Sequence, residues 1–207
     1  MSADGIPALD GLPPVPSHGI LGLCGAPGSG KSTLAARLAE ELGCPVVPMD
    51  GFHLADVELS RRGLLDRKGA PETFDAEGYA ALLARVRAAR GDVVMAPMFE
   101  RDLEQPIAGA IPVPSSAELV VTEGNYLLLD EPRWRAVRAQ LDAVWHLRLD
   151  ERLRVERLVA RHEQFGKSPA EARAWVERVD QPNAVLGEAA AHRAALVLDL
   201  TQWRGRG

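Results

Sequence analysis

The sequence has few cysteines and no long apolar run. Cys24 and Cys44 are the only two cysteines in 207 residues, too few for a disulfide framework or a cysteine metal cluster. Each borders an apolar run, so we expect buried, reduced thiols, because a free cysteine behaves as a small hydrophobic side chain. No apolar stretch approaches the roughly 20 residues that a membrane helix needs. These absences argue against a disulfide-stapled or membrane-spanning protein, and we predict a cytoplasmic location.

The chain also lacks an excess of basic residues. Its 29 Asp and Glu residues outnumber 24 Lys and Arg residues, which gives a formal net charge of −5. A nucleic-acid-binding domain usually has the opposite excess, so we predict no nucleic-acid partner. Residues 1–18 contain no basic segment of the kind that opens a signal peptide, and we expect them to form a flexible leader. Residues 19–207 are long enough for a single α/β domain.

From residue 19 onward, apolar runs of strand length alternate with segments of helical periodicity. Residues 100–116 contain three prolines and one glycine and are expected to form a loop or a hairpin. The alternation predicts one doubly wound, mostly parallel sheet with helices on both faces, a three-layer α/β/α fold. Strands are predicted at 19–24, 45–49, 93–98, 119–122, 143–149 and 196–200, and helices at 32–42, 75–90, 132–141, 150–165, 169–179 and 184–194, with a break at Pro182.

A glycine-rich segment after the first predicted strand fits the pattern G-x-x-x-x-G-K-[ST]. Glycines allow successive backbone N–H groups to turn toward phosphate oxygens, and the positive end of the following helix points at the same place. We therefore predict a P-loop that binds ATP, with Lys31 on the β- and γ-phosphates and the Ser32 hydroxyl on Mg²⁺. The candidate nucleotide-binding residues are Gly25, Ala26, Pro27, Gly28, Ser29, Gly30, Lys31, Ser32 and Thr33.

Two carboxylates follow apolar strands. Asp50 ends the second predicted strand, and Glu123 follows residues 119–122. Ligands of open α/β sheets bind at the carboxyl ends of the strands, and an acid there can hold Mg²⁺ beside a P-loop, so both residues are candidate metal ligands. Asp50 is also the candidate catalytic base, which would accept the proton of the attacking hydroxyl. A helix cap or a surface charge is the alternative interpretation of each acid.

Four further segments carry a resemblance to a known family: residues 49–53 (MDGFH), 62–65 (RGLL), 67–75 (RKGAPETFD) and 121–126 (VTEGNY). With the P-loop, they resemble the superfamily of uridine kinase, type I pantothenate kinase and phosphoribulokinase, and within it the bacterial nucleoside kinase-like or fructose-transport-system kinase branch. The resemblance covers about residues 19–200 and implies a P-loop NTPase fold with a helical lid. It also implies that Asp50 is the base and that Glu123 assists at the metal and the substrate. Gly51 departs from uridine kinases, which usually have Ser there, and matches the pantothenate branch.

The same resemblance points to residues that bind the acceptor. Phe52 and His53 follow the base directly, and three basic residues lie in stretches that resemble acceptor-binding segments of the family. A loop histidine and ordinary surface charges are the alternative interpretations. The candidate substrate-binding residues are Phe52, His53, Arg62, Lys68, Arg101 and Glu123.

The lid implied by the resemblance spans about residues 150–168. Arg154, Arg157 and Arg161 are spaced i, i+3 and i+7 and therefore share one helical face. We predict that Arg157 and Arg161 are catalytic and stabilise the transferred phosphoryl group, and that Arg154 contacts the nucleotide. Pairing with neighbouring glutamates on a solvated helix is the alternative. Asn183 is a candidate contact to adenine or its ribose, and equally a candidate helix N-cap.

The sequence thus predicts a small-molecule kinase that transfers the γ-phosphate of ATP to a hydroxyl of a nucleoside, a sugar or a pantothenate-like acceptor. Two alternatives remain: a P-loop protein that binds or hydrolyses nucleotide for regulation, and a pseudo-kinase without an acceptor. The chain has neither an N-K-x-D motif nor an L-S-G-G-Q signature, which argues against a switch GTPase and an ABC-type ATPase. The sequence leaves the acceptor open, and a homodimer is an expectation from the family alone.

Overall fold

A sheet of five parallel strands forms the centre of the computed structural model, which describes the backbone of residues 5–6 and all of residues 12–201. The described strands are β1 Gly5–Ile6, β2 Val15–Pro16, β3 Gly19–Gly25, β4 Val46–Pro48, β5 Val93–Glu100, β6 Gln105–Pro114, β7 Leu119–Gly124, β8 Ala143–Arg148 and β9 Leu196–Asp199. The central sheet has the order β4-β7-β3-β8-β9, and all four pairings are parallel. The carboxyl ends of these strands therefore lie along one edge of the sheet.

Helices connect the strands, and local signals explain where several of them begin and end. The first helix ends at Gly43, which has φ of 66°. Asp75 is the N-cap of the third helix, and Ser168 and Glu171 form a capping box. The α-helices are α1 Lys31–Leu42, α2 Asp56–Arg62, α3 Ala76–Ala88, α4 Pro132–Arg138, α5 Glu151–Gln164, α6 Pro169–Trp175 and α7 Gln181–Ala189. Short 3-10 turns span Met49–Phe52, Leu65–Arg67, Pro71–Thr73 and Ala191–Arg193.

Apolar side chains cover both faces of the sheet. From the central strand β3, Ile20 and Cys24 join a cluster that includes Tyr79 and Trp134. Leu21 and its neighbours on the other face of β3 join a second cluster with side chains of α1. A strand that is buried on both faces has a continuous run of apolar residues, and this is why residues 19–24 can be predicted as a strand from the sequence. The predicted three-layer α/β/α fold is confirmed.

Several smaller expectations can be checked in the described part of the chain. Cys24 and Cys44 are buried and free. No helix there is long and apolar enough to cross a lipid bilayer.

Residues 93–114 depart from the predicted single sheet. The strand predicted at 93–98 exists, but β5 pairs only with β6, in an antiparallel hairpin separate from the central sheet. Pro97, Pro106 and Pro112 lie within the two strands and have no N–H to donate, which suits a two-stranded edge and disfavours a central position. The hairpin option for residues 100–116 is therefore the correct one, and the assignment of residues 93–98 to the main sheet is wrong.

The described part of the predicted leader is packed into the domain. Leu12 and Val15 are 2% and 0% exposed and join the cluster around α1. The expectation of a flexible leader over residues 1–18 is therefore wrong for these two residues, because they complete an apolar face of the sheet. The rest of that prediction falls largely on residues 1–4 and 7–11, which lie outside the described residues.

Pro182 does not break the chain. Residues 169–189 form a continuous helix in which a π-turn, Val176–Asp180, joins α6 to α7. The N–H of Gln181 donates to the carbonyl of Val176, so the wider turn shifts the hydrogen-bond register just before the proline. Pro182 then occupies the first turn of α7, where a missing N–H is tolerated. The prediction of a break at this residue is wrong for that reason.

Replacing Leu12 with alanine tests whether the N-terminal segment belongs to the core. Leu12→Ala should lower the free energy of unfolding by about 2–5 kcal/mol, the usual cost of truncating a buried leucine. Val57→Ala is the control, because Val57 is 79% exposed and its truncation should change stability by less than about 0.5 kcal/mol. Urea unfolding measures both variants. Equal stabilities for the two variants would contradict the packing of this segment.

Candidate active site

The glycine-rich segment forms a loop between β3 and α1. Gly28 and Gly30 have φ of 80° and 95°, a left-handed conformation that favours glycine. A Cβ on Gly28 would lie 2.9 Å from Leu158 Cγ and 3.1 Å from the carbonyl oxygen of Arg154. Only glycine therefore allows helix α5 to pack this closely on the loop.

Lys31 is held across the loop. Its ammonium group donates a hydrogen bond to the carbonyl oxygen of Ala26 at 3.0 Å, and the residue is 7% exposed. Burial lowers the pKa of Lys31, while the nearby carboxylates of Glu123 and Asp50 act in the opposite direction. The hydroxyl of Ser29 is buried and has no hydrogen-bond partner among the described residues. A phosphate oxygen in the loop would give both side chains an acceptor, so the loop fits a nucleotide.

Ser32, Glu123 and Asp50 meet at the carboxyl ends of the strands. The Ser32 hydroxyl donates to Glu123 Oε1 at 2.9 Å. Glu123 is 8% exposed, and burial followed by the negative charge of Asp50 raises the pKa of its carboxyl group. Oxygen ligands of this type, with phosphate oxygens and water completing the shell, suit Mg²⁺. The three candidate metal ligands are thus brought to one place.

These side chains border a cavity of about 320 Å³, which we call the phosphate cavity. Most of its lining comes from the P-loop and from helix α5, and its polar side chains include three arginines. Arg157 and Arg161 line it, as predicted for the lid. The lining residues are Pro27, Gly28, Gly30, Lys31, Ser32, Thr33, Asp50, Arg101, Glu123, Asn125, Arg157 and Arg161.

Arg154 has a different position from the other two lid arginines. It is 5% exposed, and its guanidinium group donates to the carbonyl oxygen of Pro27 at 3.3 Å and also contacts the Gln181 side chain. It therefore ties helix α5 to the P-loop and to α7. Arg154 also lines a second cavity on this side of the P-loop.

That second cavity, the nucleoside cavity, has a volume of about 540 Å³ and a mostly apolar lining. It adjoins the P-loop through Ala26 and Ser29, so a nucleotide with its phosphates in the loop could place its base there. Apart from Arg154, no sequence pattern indicates its other walls, because they depend on how β8, α5 and α7 pack beside the P-loop. The lining residues are Ala26, Ser29, Leu147, Arg148, Leu149, Glu151, Arg154, Gln181, Ala184, Val185, Glu188 and Ala189.

A third cavity of about 470 Å³, the acceptor cleft, is also lined by Asp50. His53, Lys68 and Arg101 line it, as predicted for substrate contacts, and Arg101 Nη2 lies 3.7 Å from Asp50 Oδ2. Helix α5, the turn after it and the π-turn supply walls that no sequence pattern indicates, because their approach depends on tertiary packing. These additional lining residues include His162, Phe165, Lys167, Trp175 and Asp180.

Three predicted site residues lie elsewhere. Phe52 is a core residue, packed on Tyr79 with ring centroids 4.6 Å apart, so it does not line the acceptor cleft. Arg62 lies on the surface and pairs with Glu58 at 2.6 Å. Asn183 lines the acceptor cleft and not the nucleoside cavity, and its amide donates to the carbonyl oxygen of Gly69 at 3.3 Å. These positions contradict the predicted substrate role of Phe52 and Arg62. They also contradict the predicted contact of Asn183 with adenine or its ribose.

A family model and several known proteins are similar to this chain in sequence. A family model described as an AAA domain matches residues 21–176. The uncharacterized protein YggC of Escherichia coli K12 is 34% identical over 187 residues, which cover 87% of this chain and 77% of that protein. The protein named "Putative uridine kinase C227.14" of Schizosaccharomyces pombe is 34% identical, with 78% of this chain and 73% of that protein covered.

A solved structure of a putative kinase is similar to this chain in both fold and sequence. The "putative fructose transport system kinase" of Silicibacter sp. TM1040 superposes with a TM-score of 0.79 at 42% identity, covering 88% of this chain and 90% of that one. The chain therefore belongs to the family of P-loop kinases that includes the uridine and pantothenate kinases.

Proposed function

We propose that this protein is an ATP-dependent kinase that transfers the γ-phosphate of ATP to a hydroxyl group of a small molecule. One observation carries the proposal: Asp50 lines both the phosphate cavity and the acceptor cleft. Arg101 and Arg161 also line both cavities. A hydroxyl group in the cleft and a γ-phosphate in the cavity would therefore meet beside a carboxylate, which is the arrangement that phosphoryl transfer to an alcohol needs.

In this proposal Asp50 is the general base. Its carboxylate accepts the proton of the acceptor hydroxyl as the oxygen forms a bond to the γ-phosphorus and the bond to the β–γ bridging oxygen breaks, releasing ADP. A third of the Asp50 side chain is exposed, so an acceptor can reach it. Arg101, 3.7 Å away, stabilises the carboxylate in this position.

The P-loop and the lid stabilise the transferred phosphoryl group. Lys31 and the backbone N–H groups of the loop hold the β- and γ-phosphates, and Ser32, Asp50 and Glu123 would hold Mg²⁺, which when bound neutralises charge on the phosphate oxygens. Arg157 and Arg161 line the same phosphate cavity. Their permanent charge suits the negative charge that spreads over the equatorial oxygens in the transition state.

The nucleoside cavity is the proposed site of the adenosine moiety, because its apolar lining adjoins the P-loop. The low cysteine content supports a cytoplasmic location, and the family resemblance supports a homodimer; both remain predictions.

The direct experiment is a measurement of ADP release with Mg·ATP in the presence of candidate acceptors. Uridine, cytidine, pantothenate, D-fructose and ribulose 5-phosphate form the panel, with a reaction lacking acceptor as the control. We expect at least one compound to raise the rate by about 10-fold or more, because an acceptor held beside Asp50 gains the advantage of proximity. Measurable ATP binding with no stimulation by any compound would favour a regulatory nucleotide-binding protein or a pseudo-kinase.

A second experiment tests the role of Asp50. Asp50→Asn should lower acceptor-dependent turnover by about 10²-fold or more, the scale of a lost general base, while the affinity for ATP in the absence of metal stays within a few fold. Asp66→Asn is the matched control, because Asp66 is an exposed carboxylate that lines neither the phosphate cavity nor the acceptor cleft. Equal turnover of Asp50→Asn and the wild type would place the base elsewhere.

A further inference from the structure

Glu188 lies on helix α7 and lines the nucleoside cavity. Gln181, at the start of the same helix, contacts Arg154, which donates to the carbonyl oxygen of Pro27 in the P-loop. Glu188 follows Gln181 by about two helical turns, a rise of roughly 10 Å along the helix axis. The carboxylate of Glu188 therefore belongs to the part of the cavity that lies away from the contact between α7 and the P-loop.

Two side chains of strand β8 hold the carboxylate of Glu188. Nε2 of His146 lies 2.9 Å from Oε1 of Glu188, and Nε of Arg148 donates to Oε2 at 3.0 Å. A carboxylate can only accept, so Nε2 of His146 carries a hydrogen and donates it. Because a different side chain binds each oxygen, the carboxylate cannot turn freely, and its remaining lone pairs have defined directions.

The fold alone does not require a histidine at position 146. The side chain of His146 is 0% exposed, and its Nδ1 has no hydrogen-bond partner among the described residues. A buried polar atom without a partner costs free energy, so an apolar side chain would suit this position in the sheet better. The hydrogen bond to Glu188 is the contact that a histidine adds here, which indicates that His146 serves to fix that carboxylate.

The carboxylate of Glu188 is accessible to a ligand. Glu188 and Arg148 keep 40% and 50% of their side chains exposed. Gln181, in contrast, donates to Glu151 and contacts Arg154, so these three polar side chains bind one another. The rest of the lining is mainly apolar. An apolar cavity with a fixed carboxylate suits a flat heterocycle that presents a hydrogen-bond donor.

We propose that Glu188 selects the base of the nucleotide, because its carboxylate accepts a hydrogen bond from the exocyclic N6 amino group of adenine. This proposal rests on the proposed function, which places the adenosine moiety of ATP in the nucleoside cavity. Guanine has a carbonyl oxygen at the corresponding position, which a carboxylate repels. The N1–H and N2 groups of guanine would need both carboxylate oxygens, and each of these already accepts a hydrogen bond. Glu188 therefore favours ATP over GTP as the phosphoryl donor.

The first test measures nucleotide binding by the wild-type protein with no acceptor present. Isothermal titration calorimetry in the presence of Mg²⁺ compares ADP, GDP and purine riboside 5′-diphosphate, which is ADP without its N6 amino group. ADP should bind about 10-fold more tightly than either analogue, the usual scale of a hydrogen bond to a charged group. Equal affinities for ADP and purine riboside 5′-diphosphate would overturn the proposal and leave the kinase function standing.

A variant of Glu188 shows whether this side chain makes the distinction. Glu188→Ala should bind ADP and purine riboside 5′-diphosphate nearly equally, because the acceptor of the N6 amino group is gone. Its affinity for inorganic pyrophosphate, which has no base, should be unchanged. Glu177→Ala is the matched control and should keep the wild-type preference for ADP, because Glu177 is exposed and lines none of the three cavities.

The other possible outcomes are equally distinct. GDP binding as tight as ADP binding would show that the base is not selected, and a preference for ADP that persists in Glu188→Ala would assign the selection to another side chain. A wild-type protein that binds none of the three nucleotides would count against the proposed function as well. Thermal unfolding and pyrophosphate binding show whether each variant is folded, and the comparison of nucleotides on the wild type requires no variant.

Discussion

The parallel register of the central sheet is the constraint on which the site depends. Because β3 pairs in parallel with β7, and β7 with β4, the ends of all three strands lie side by side, with Glu123 opposite both Leu23 and Pro48. The P-loop begins where β3 ends, and Asp50 follows β4 by two residues. A phosphate-binding loop, a buried carboxylate and a candidate base therefore converge at this edge of the sheet.

Close backbone contacts attach the rest of the site to this edge. Gly28 allows the lid helix to approach the P-loop, as described above. Gly51 has the same role for the β5–β6 hairpin, because a Cβ there would lie 2.5 Å from the carbonyl oxygen of Pro97. This contact gives a physical reason for glycine at a position where uridine kinases usually have serine. It also brings Phe99 and Arg101, at the end of the hairpin strand, to the acceptor cleft.

The features that the sequence predicted are those with a local signal. The P-loop has a fixed pattern, the strands of the central sheet are apolar on both faces, and Asp50 and Glu123 follow such strands. The sequence does not predict the positions of Phe52 and Arg62 correctly. The position of Phe52 next to the base and the positive charge of Arg62 do not show which way either side chain points. Asn183 lines the acceptor cleft and follows the π-turn, which no local sequence signal indicates. The walls supplied by His162 and Asp180 depend on two helices meeting, for which the sequence carries no pattern.

The central claim is that a γ-phosphate and an acceptor hydroxyl meet at Asp50. A crystal structure of the protein with Mg²⁺ and the non-hydrolysable ATP analogue AMP-PNP tests it most directly. We predict that the adenine occupies the nucleoside cavity and that the γ-phosphorus lies within about 6 Å of the Asp50 carboxylate, a distance that leaves room for one bridging hydroxyl group. A γ-phosphate more than about 10 Å from Asp50, or directed away from the acceptor cleft, would contradict the claim, since no hydroxyl could then contact both groups.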